Sequence, residues 1–186
     1  MPPIELHTPR LHLRAWRDDD LTAFAELNAD PEVMRHFPAC MSREQSDALA
    51  ARIHQHTQQY GFGQWVVEHR GDGGFVGVVG LQNVNFDQHF TPAVEIGWRL
   101  VHRYWGQGLA SEAAQAALAF GFESLQLAEI VAFTVPANLR SRAVMERIGM
   151  QHDPDGDFGH PLLPEGHSLR PHVLYRLGRA EWEALR

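Results

Sequence analysis

The chain has 186 residues, of which 44% are hydrophobic and 21% charged, and its formal net charge is −7. This composition is ordinary for a globular domain, and the negative balance disfavours wide contact with nucleic-acid phosphates. The sequence has no apolar run of ~20 residues, which is the length of a membrane span, and no signal-peptide pattern. Its single cysteine excludes an internal disulfide. We therefore expect one cytoplasmic domain over residues 8–180 with a C-terminal tail at 181–186, and neither membrane nor nucleic-acid partners.

The first third of the chain predicts one strand and a series of helices. "LHLRAW" (11–16) alternates like a strand, and an aspartate of "DDD" is placed to cap the helix that follows. "DPEVMRHF" predicts a short helix with Asp30 as its N-cap and Pro31 at its first position. Ser42 and Gln45 form the pattern of a capping box, which predicts a helix through about Gln59.

The hydrophobic period then changes to that of strands. "QWVVEH" and "FVGVVGLQNVN" flank the glycine-rich "RGDGG" and predict a hairpin. Further strands are predicted at 93–101, 129–135 and 172–177, with helices at 109–125 and in "NLRSRAVMERIG", the latter ended by Gly149. The twelve histidines show no recognisable ligand spacing, so we expect no metal site. The order of elements predicts an α/β domain with a mixed sheet.

A glycine loop follows the predicted strand 93–101. Its pattern, Arg103-x-x-Gly106-x-Gly108, stands directly before an alanine-rich helix. The first N–H groups of a helix lack internal partners and, with the helix dipole, attract anions. The pattern lacks the third glycine of a dinucleotide fingerprint and the Gly-Lys-Ser/Thr of a P-loop. From the loop alone, an anion site and a tight strand-to-helix turn stay equally open.

Two motifs in order resemble the GNAT N-acetyltransferases. Arg-x-x-Gly-x-Gly is similar to the acetyl-CoA signature of that family. "VEIGWRLVHRYWGQGLASEA" and "VPANLRSRAVMERIGM" together resemble its RimJ/RimL branch. The resemblance runs from about Leu11 to Leu177. It implies the GNAT fold, a mixed and mostly antiparallel central sheet of about six to seven strands flanked by helices. In that fold the central strands, here 93–101 and 129–135, splay apart and hold CoA.

The resemblance implies acetyl-CoA as co-substrate and no metal. The pyrophosphate would rest on backbone N–H groups of the loop, with Arg103 near the phosphates, unless Arg103 caps the loop or pairs with an acid. Trp98, Tyr104 and Trp105 flank the site, and packing explains each of them more readily than recognition does. The implied cofactor-binding residues lie at the end of the strand, in the loop and on the two helices that follow: Leu100, Val101, Arg103, Tyr104, Trp105, Gly106, Gln107, Gly108, Leu109, Ala110, Asn138 and Ser141.

Asn138 and Ser141 lie on one helix face, which Met145 continues. By resemblance, Asn138 contacts the cofactor and Ser141 lies near its sulfur as the candidate acid. Asn138 also suits an N-cap, and Ser141 suits a helix–sheet contact. Many GNAT enzymes carry a tyrosine at the position of Met145, where it protonates the departing thiolate. Thiols have pKa values near 8.5, so a thiolate leaves tolerably without that tyrosine.

Two glutamates are candidates for the base that deprotonates the acceptor amine. Glu95 is a charge inside an apolar central strand, which is an expensive place for an unused carboxylate. Glu68 in "WVVEH" is the second candidate. Both are also explained as carboxylates at a sheet margin, and bound water could relay the proton. A backbone N–H near Leu100 is the natural donor to the tetrahedral oxyanion.

The sequence thus predicts an acetyl-CoA-dependent N-acetyltransferase that acts by direct transfer to a primary amine, as a monomer or homodimer. The acceptor is a protein N-terminal α-amine by branch resemblance, or a small-molecule amine. Its pocket in the family is lined near residues 36–40 and by the late loop 153–172. A non-catalytic acyl-CoA-binding module, and a nucleotide-binding fold unrelated to CoA, are the alternatives.

Overall fold

The computed structural model describes residues 4–186, and within them eight strands form one sheet in the order β1-β2-β3-β4-β5-β6-β8-β7. Most neighbours are antiparallel, whereas β5 and β6 are parallel and pair through Glu95 and Val131. The strands are β1 (Leu6–His7), β2 (Leu11–Arg14), β3 (Gln64–His69), β4 (Phe75–Asn83), β5 (Val94–Leu100), β6 (Glu129–Thr134), β7 (Gln151–Gly159) and β8 (Pro171–Gly178).

Five α-helices accompany the sheet. They are α1 (Asp20–Ala29), α2 (Arg43–Tyr60), α3 (Leu109–Ala119), α4 (Leu139–Arg147) and α5 (Arg179–Ala184). The capping box at the start of α2 is confirmed, because the Ser42 hydroxyl accepts from the N–H of Gln45, whose side chain accepts from the N–H of Ser42. None of the helices in residues 4–186 combines the length and the hydrophobicity that crossing a membrane requires.

The chain divides into two compact units. The first comprises the residues up to Gln82 and Gly97–Ala117. One of its core clusters joins Phe24 and Leu27 of α1 to Ile53 of α2. Burial of a side chain of this size contributes about 1.5–3 kcal/mol to stability.

The second unit comprises Asn83–Ile96 and Leu118–Arg186. Its aromatic cluster is built on Phe90 and Phe158, with Val131 and Leu174 beneath. Trp182 of α5 is buried and stacks on Phe122 at 5.0 Å, so part of the segment expected as a tail is a packed helix.

Three expectations from the sequence differ from the structure. "DPEVMRHF" forms turns instead of a helix, although the Asp30 carboxylate accepts from the Glu32 N–H as a cap would. The helix expected through Leu125 leaves α geometry at Ala119 and continues as a π-helical turn, Phe120–Ser124. Residues 151–159 form strand β7, whereas the part of this segment from Asp153 on was expected in a loop because it contains Pro154 and several aspartates and glycines.

Candidate functional site

The segment between β5 and α3 is fastened to the end of the strand. A 3₁₀ turn, His102–Tyr104, follows β5, and the Trp105 N–H donates to the His102 carbonyl at 3.0 Å. The Trp105 indole N–H donates to the Leu100 carbonyl at 2.8 Å. These two bonds fix the start of the loop, and the indole N–H of Trp105 has a structural role.

The two glycines of this loop adopt left-handed backbone conformations, with φ of 74° at Gly106 and 77° at Gly108. The Glu112 N–H makes the first helical bond, to the Gly108 carbonyl at 3.1 Å. Within residues 4–186, no acceptor faces the backbone N–H groups of Gly106 through Ala110. Five successive donors, in the loop and at the start of an 11-residue helix, form a surface suited to an anion.

Arg103 is exposed beside this surface. Its guanidinium lies 4.9 Å from the Tyr104 ring centroid, and Nη2 is 3.4 Å from the Tyr104 hydroxyl, a weak contact. In the described part of the chain, no carboxylate lies within 4.0 Å of it. Arg103 therefore makes no close ion pair, but its charge, after the Gly74 N–H and His69, contributes to lowering the pKa of Asp72. The Gln107 side chain caps the Arg103 carbonyl at 3.0 Å.

Arg10, which sequence reasoning missed, supports the loop from the N-terminal segment. Its Nη1 donates to the Gln107 carbonyl at 2.8 Å, and its Nε pairs with the Glu112 carboxylate at 2.7 Å. Glu112 also accepts from the Thr8 hydroxyl at 2.6 Å and from the Arg10 N–H at 2.9 Å. Burial raises the pKa of Glu112, but the bonds from Thr8 and Arg10 outweigh it, and the pKa lies below its ordinary value. The charge of Arg10 is therefore neutralised, whereas Arg103 has no carboxylate of residues 4–186 within 4.0 Å and acts on Asp72 from a longer distance.

The side chains of Tyr104 and Leu109 are buried, which agrees with packing. Tyr104 fills the space next to Gly74, where a Cβ would lie 2.2 Å from its hydroxyl oxygen. Val101 donates its N–H to Val76 of β4 at 2.9 Å. Because successive N–H groups of a strand point to opposite edges, the N–H of Leu100 points away from β4.

Asn138 and Ser141 lie at the start of α4 in the second unit. The Asn138 side chain is the N-cap, accepting from the Ser141 N–H at 3.3 Å and donating to the Thr134 hydroxyl at 3.0 Å. The capping alternative for Asn138 is thus confirmed. The Ser141 hydroxyl has no hydrogen-bond partner among the described residues. Met145 follows one turn later and is 2% exposed.

The two candidate bases have different surroundings. Glu95 is half-buried on β5, at the position that pairs with Val131. The Glu68 carboxylate accepts from Arg14 Nε at 2.8 Å and lies 3.7 Å from Arg17. Arg14 also holds Asp20 at 2.8 Å, and the bonds to these two acids raise its pKa above the ordinary value despite burial. Glu68 thus belongs to an ion-pair network, whereas Glu95 lies inside the central strand β5.

The family profile described as acetyltransferase (GNAT) domain matches residues 10–151. The chain belongs to the GNAT acetyltransferase family.

Relatives agree with this family membership. The FsC-acetyl coenzyme A-N(2)-transacetylase of Aspergillus fumigatus is 33% identical over 190 residues, which cover 95% of this chain and 77% of that protein. The uncharacterized protein YkkB of Bacillus subtilis is 32% identical over 149 residues, 80% of this chain and 86% of its own. This GNAT protein is an acetyltransferase, and its family uses acetyl-CoA.

Solved structures show the same fold. The GNAT-family acetyltransferase from Bacillus anthracis superposes with a TM-score of 0.78 at 28% identity, covering 95% of this chain and 99% of the other. RimJ of Mycobacterium smegmatis in complex with CoA-disulfide gives a TM-score of 0.75 at 22% identity, covering 96% and 89%. At that identity the RimJ likeness speaks to the fold alone.

In residues 4–186, one group of side chains is close enough to share a metal ion: Glu5, which precedes β1, His7 of β1 and His12 of β2. His12 Nε2 lies 2.8 Å from the Glu5 carboxylate, and the two imidazole rings stack at 4.3 Å. These three residues are far from the glycine loop in the sequence. The sequence did not predict them as metal ligands.

Proposed function

We propose that this protein transfers the acetyl group of acetyl-CoA directly to a primary amine, and that its glycine loop binds the CoA pyrophosphate. The observation that carries the proposal is the row of five backbone N–H groups, Gly106 through Ala110, that have no acceptor in residues 4–186. A pyrophosphate supplies acceptors for several such donors at once, and the helix dipole favours its charge by about 0.3–1 kcal/mol.

The surroundings of the loop support an anion the size of a pyrophosphate. A Cβ on Gly106 would meet nothing within 4 Å, and one on Gly108 would meet only Arg10 Nη2 at 3.5 Å. The outer side of the loop is therefore open to a ligand. Arg103, exposed and without a carboxylate partner in the described residues, supplies the positive charge.

We assign Ser141 as the group that protonates the departing thiolate. Its hydroxyl is not committed to another described residue, and its backbone N–H is held by the Asn138 cap, which fixes its position at the start of α4. A general acid typically contributes about 10²–10⁴ in rate. Since a thiolate is already a tolerable leaving group, a hydroxyl or a water held by it suffices where the family often has tyrosine.

We assign Glu95 as the base that accepts the proton of the attacking amine, directly or through water. Deprotonation at pH 7 costs about 1 kcal/mol for a protein α-amine and about 4.6 kcal/mol for a lysine-like amine. A half-buried carboxylate such as Glu95 more easily supports deprotonation of an α-amine, which has the lower cost. The backbone N–H of Leu100, which points away from β4, is the proposed donor to the oxyanion.

The acceptor that we favour is therefore an α-amine, as in the RimJ/RimL branch, or a small-molecule amine of similar basicity. The relative named FsC-acetyl coenzyme A-N(2)-transacetylase and the putative ribosomal N-acetyltransferase YdaF bear on this choice by their names alone.

A CoA-release assay with mass-spectrometric detection tests the proposal across N-terminal peptides, polyamines, aminoglycosides and free amino acids. We expect acetyl-CoA-dependent acetylation of at least one α-amine well above hydrolysis. Hydrolysis alone with every acceptor would contradict direct transfer to amines.

A further inference from the structure

Arg99 is a partly buried cation that the proposed chemistry does not use. It lies on β5 immediately before Leu100, and its Nη1 donates to the Asn28 side-chain oxygen. Its guanidinium carbon lies 4.2 Å from the Phe37 ring centroid. The Nε atom is buried without a hydrogen-bond partner, and no carboxylate of residues 4–186 lies within salt-bridge distance of this side chain.

The surroundings of Arg99 hold it in one orientation. Asn28 is fully buried, and its Nδ2 donates to the buried Ser46 hydroxyl at 2.9 Å. This bond fixes the amide so that its oxygen faces the guanidinium. Burial lowers the pKa of Arg99 to about 10, so the side chain is still a cation at neutral pH. A partly buried cation without a counter-ion carries a desolvation cost, and a bound anion would offset it.

The unused part of the guanidinium has a defined shape. Since Nη1 is occupied by Asn28 and Nε is buried from solvent, Nη2 is the nitrogen left for a ligand. Its N–H groups can donate a charge-assisted hydrogen bond to a carboxylate oxygen. Phe37, which is 37% exposed, covers the guanidinium plane, and it belongs to the turn segment that the GNAT resemblance assigns to the acceptor pocket.

We propose that Arg99 binds a carboxylate carried by the acceptor, so that the preferred substrates are amines that also bear a carboxylate group. This inference rests on the proposed function. Its position fits, because consecutive Cα atoms are about 3.8 Å apart and Arg99 directly precedes Leu100, the proposed oxyanion donor. An acceptor anchored at Arg99 would thus be held beside the strand end where transfer is proposed.

The local charge favours a carboxylate over a phosphate. Arg35, the nearest arginine in the turn segment, pairs with Glu32 at 2.8 Å. Burial and the charge of Arg35 lower the pKa of His36, which is therefore neutral at pH 7. Arg99 thus has no carboxylate of residues 4–186 within salt-bridge distance, which matches a ligand with a single negative charge.

The experiment compares matched acceptors. One arm uses C-terminally amidated peptides that differ only in Glu or Gln at the second position. The other uses Gly-Gly and its C-terminal amide. The first arm reports an acidic protein N-terminus as the source of the carboxylate, and the second reports a small amino-acid-like substrate. We expect the wild type to show at least about a 10-fold higher kcat/KM for the carboxylate member in one arm, because a charge-assisted hydrogen bond is involved.

Three variants test whether Arg99 causes the preference for the carboxylate member. In Arg99→Gln, the ratio of kcat/KM values within the pair should fall to near 1, whereas the control Arg35→Gln removes a nearby but paired cation and should keep the wild-type ratio. Asn28→Asp places a carboxylate against Arg99 with little change of volume and should also abolish the preference. It serves if Arg99→Gln fails to fold, as judged by its melting temperature.

Each outcome is decisive. If amines are acetylated but the wild type discriminates in neither arm, the inference is overturned while the proposed function stands. If Arg99→Gln and Asn28→Asp lower both members of a pair equally, Arg99 is structural and the inference is again overturned. Absence of acetylation of any amine contradicts the proposed function itself.

Discussion

Arg10 donates to the backbone carbonyl of Gln107 at 2.8 Å, across 97 positions of the chain. The same guanidinium is held by Glu112, in the first turn of α3. The N-terminal segment therefore contacts the glycine loop at two points: the Gln107 carbonyl, between the two glycines, and Glu112 in the helix that follows. This contact explains how a loop with two glycines keeps its N–H groups aligned.

Removing this brace should weaken binding of the donor. Arg10→Met keeps the aliphatic stem but deletes the bonds to Gln107 and Glu112. We expect the KM for acetyl-CoA to rise about 3- to 10-fold, the value of a lost hydrogen bond, with kcat little changed. Steady-state kinetics check this, with Arg43→Met as control, because Arg43 is a surface arginine paired with Asp47 on α2. An unchanged KM would show that the loop does not depend on the brace.

Filling the loop should obstruct the phosphates. At Gly108, φ is 77°, a conformation that costs a β-branched residue about 1–2 kcal/mol. Gly108→Val should raise the KM for acetyl-CoA by more than backbone strain alone would. Gly61→Val is the matched control, since Gly61 has φ of 76° and open space around it at the end of α2. Equal kinetics for the two variants would place the phosphates elsewhere.

Substitutions at Ser141 and Asn138 should have different effects, the first on kcat and the second on stability. Ser141→Ala deletes the uncommitted hydroxyl but keeps the backbone N–H that Asn138 caps, so kcat should fall with little change in melting temperature. Asn138→Ala removes the cap and the bond to Thr134 and should lower stability by about 0.5–2 kcal/mol. Full kcat in Ser141→Ala, measured with a good acceptor, would remove Ser141 as the acid.

The Glu112 cluster predicts a dependence of stability on pH. The pKa of Glu112 lies below its ordinary value of 4.5, so its ionised form stabilises the folded state above that pH and the contribution disappears as the pH falls through the folded-state pKa. Glu112→Gln should therefore melt below the wild type at pH 7, and the gap should close under more acidic conditions. A gap that stays constant down to pH 3 would contradict this assignment.

Local patterns in the sequence predicted most of the elements. The β-branched run "QWVVEH" became β3, and the Ser42–Gln45 box began α2 as predicted. β7 was missed because its proline, aspartates and glycines are typical of loops, whereas pairing with β8 at Gln151–Asp153 and at Phe158–Gly159 decides its structure. Long-range pairing overrides local preference there.

The site was predictable only where it is local. The glycines act through their own backbone, so the loop can be predicted from Gly106 and Gly108 in the sequence. Arg10 and Arg99 act through residues 97 and 71 positions away, Gln107 and Asn28, and nothing in their immediate neighbours marks them. Glu68 was a plausible base until Arg14 was found to hold it.

The central claim is that the N–H groups from Gly106 through Ala110 bind the CoA pyrophosphate, and amide hydrogen exchange of these five residues measures it directly. We predict that saturating acetyl-CoA slows their exchange, whereas acetyl-pantetheine, which lacks the pyrophosphate, leaves it unchanged. Unaltered exchange at all five amides in protein saturated with acetyl-CoA would contradict the account.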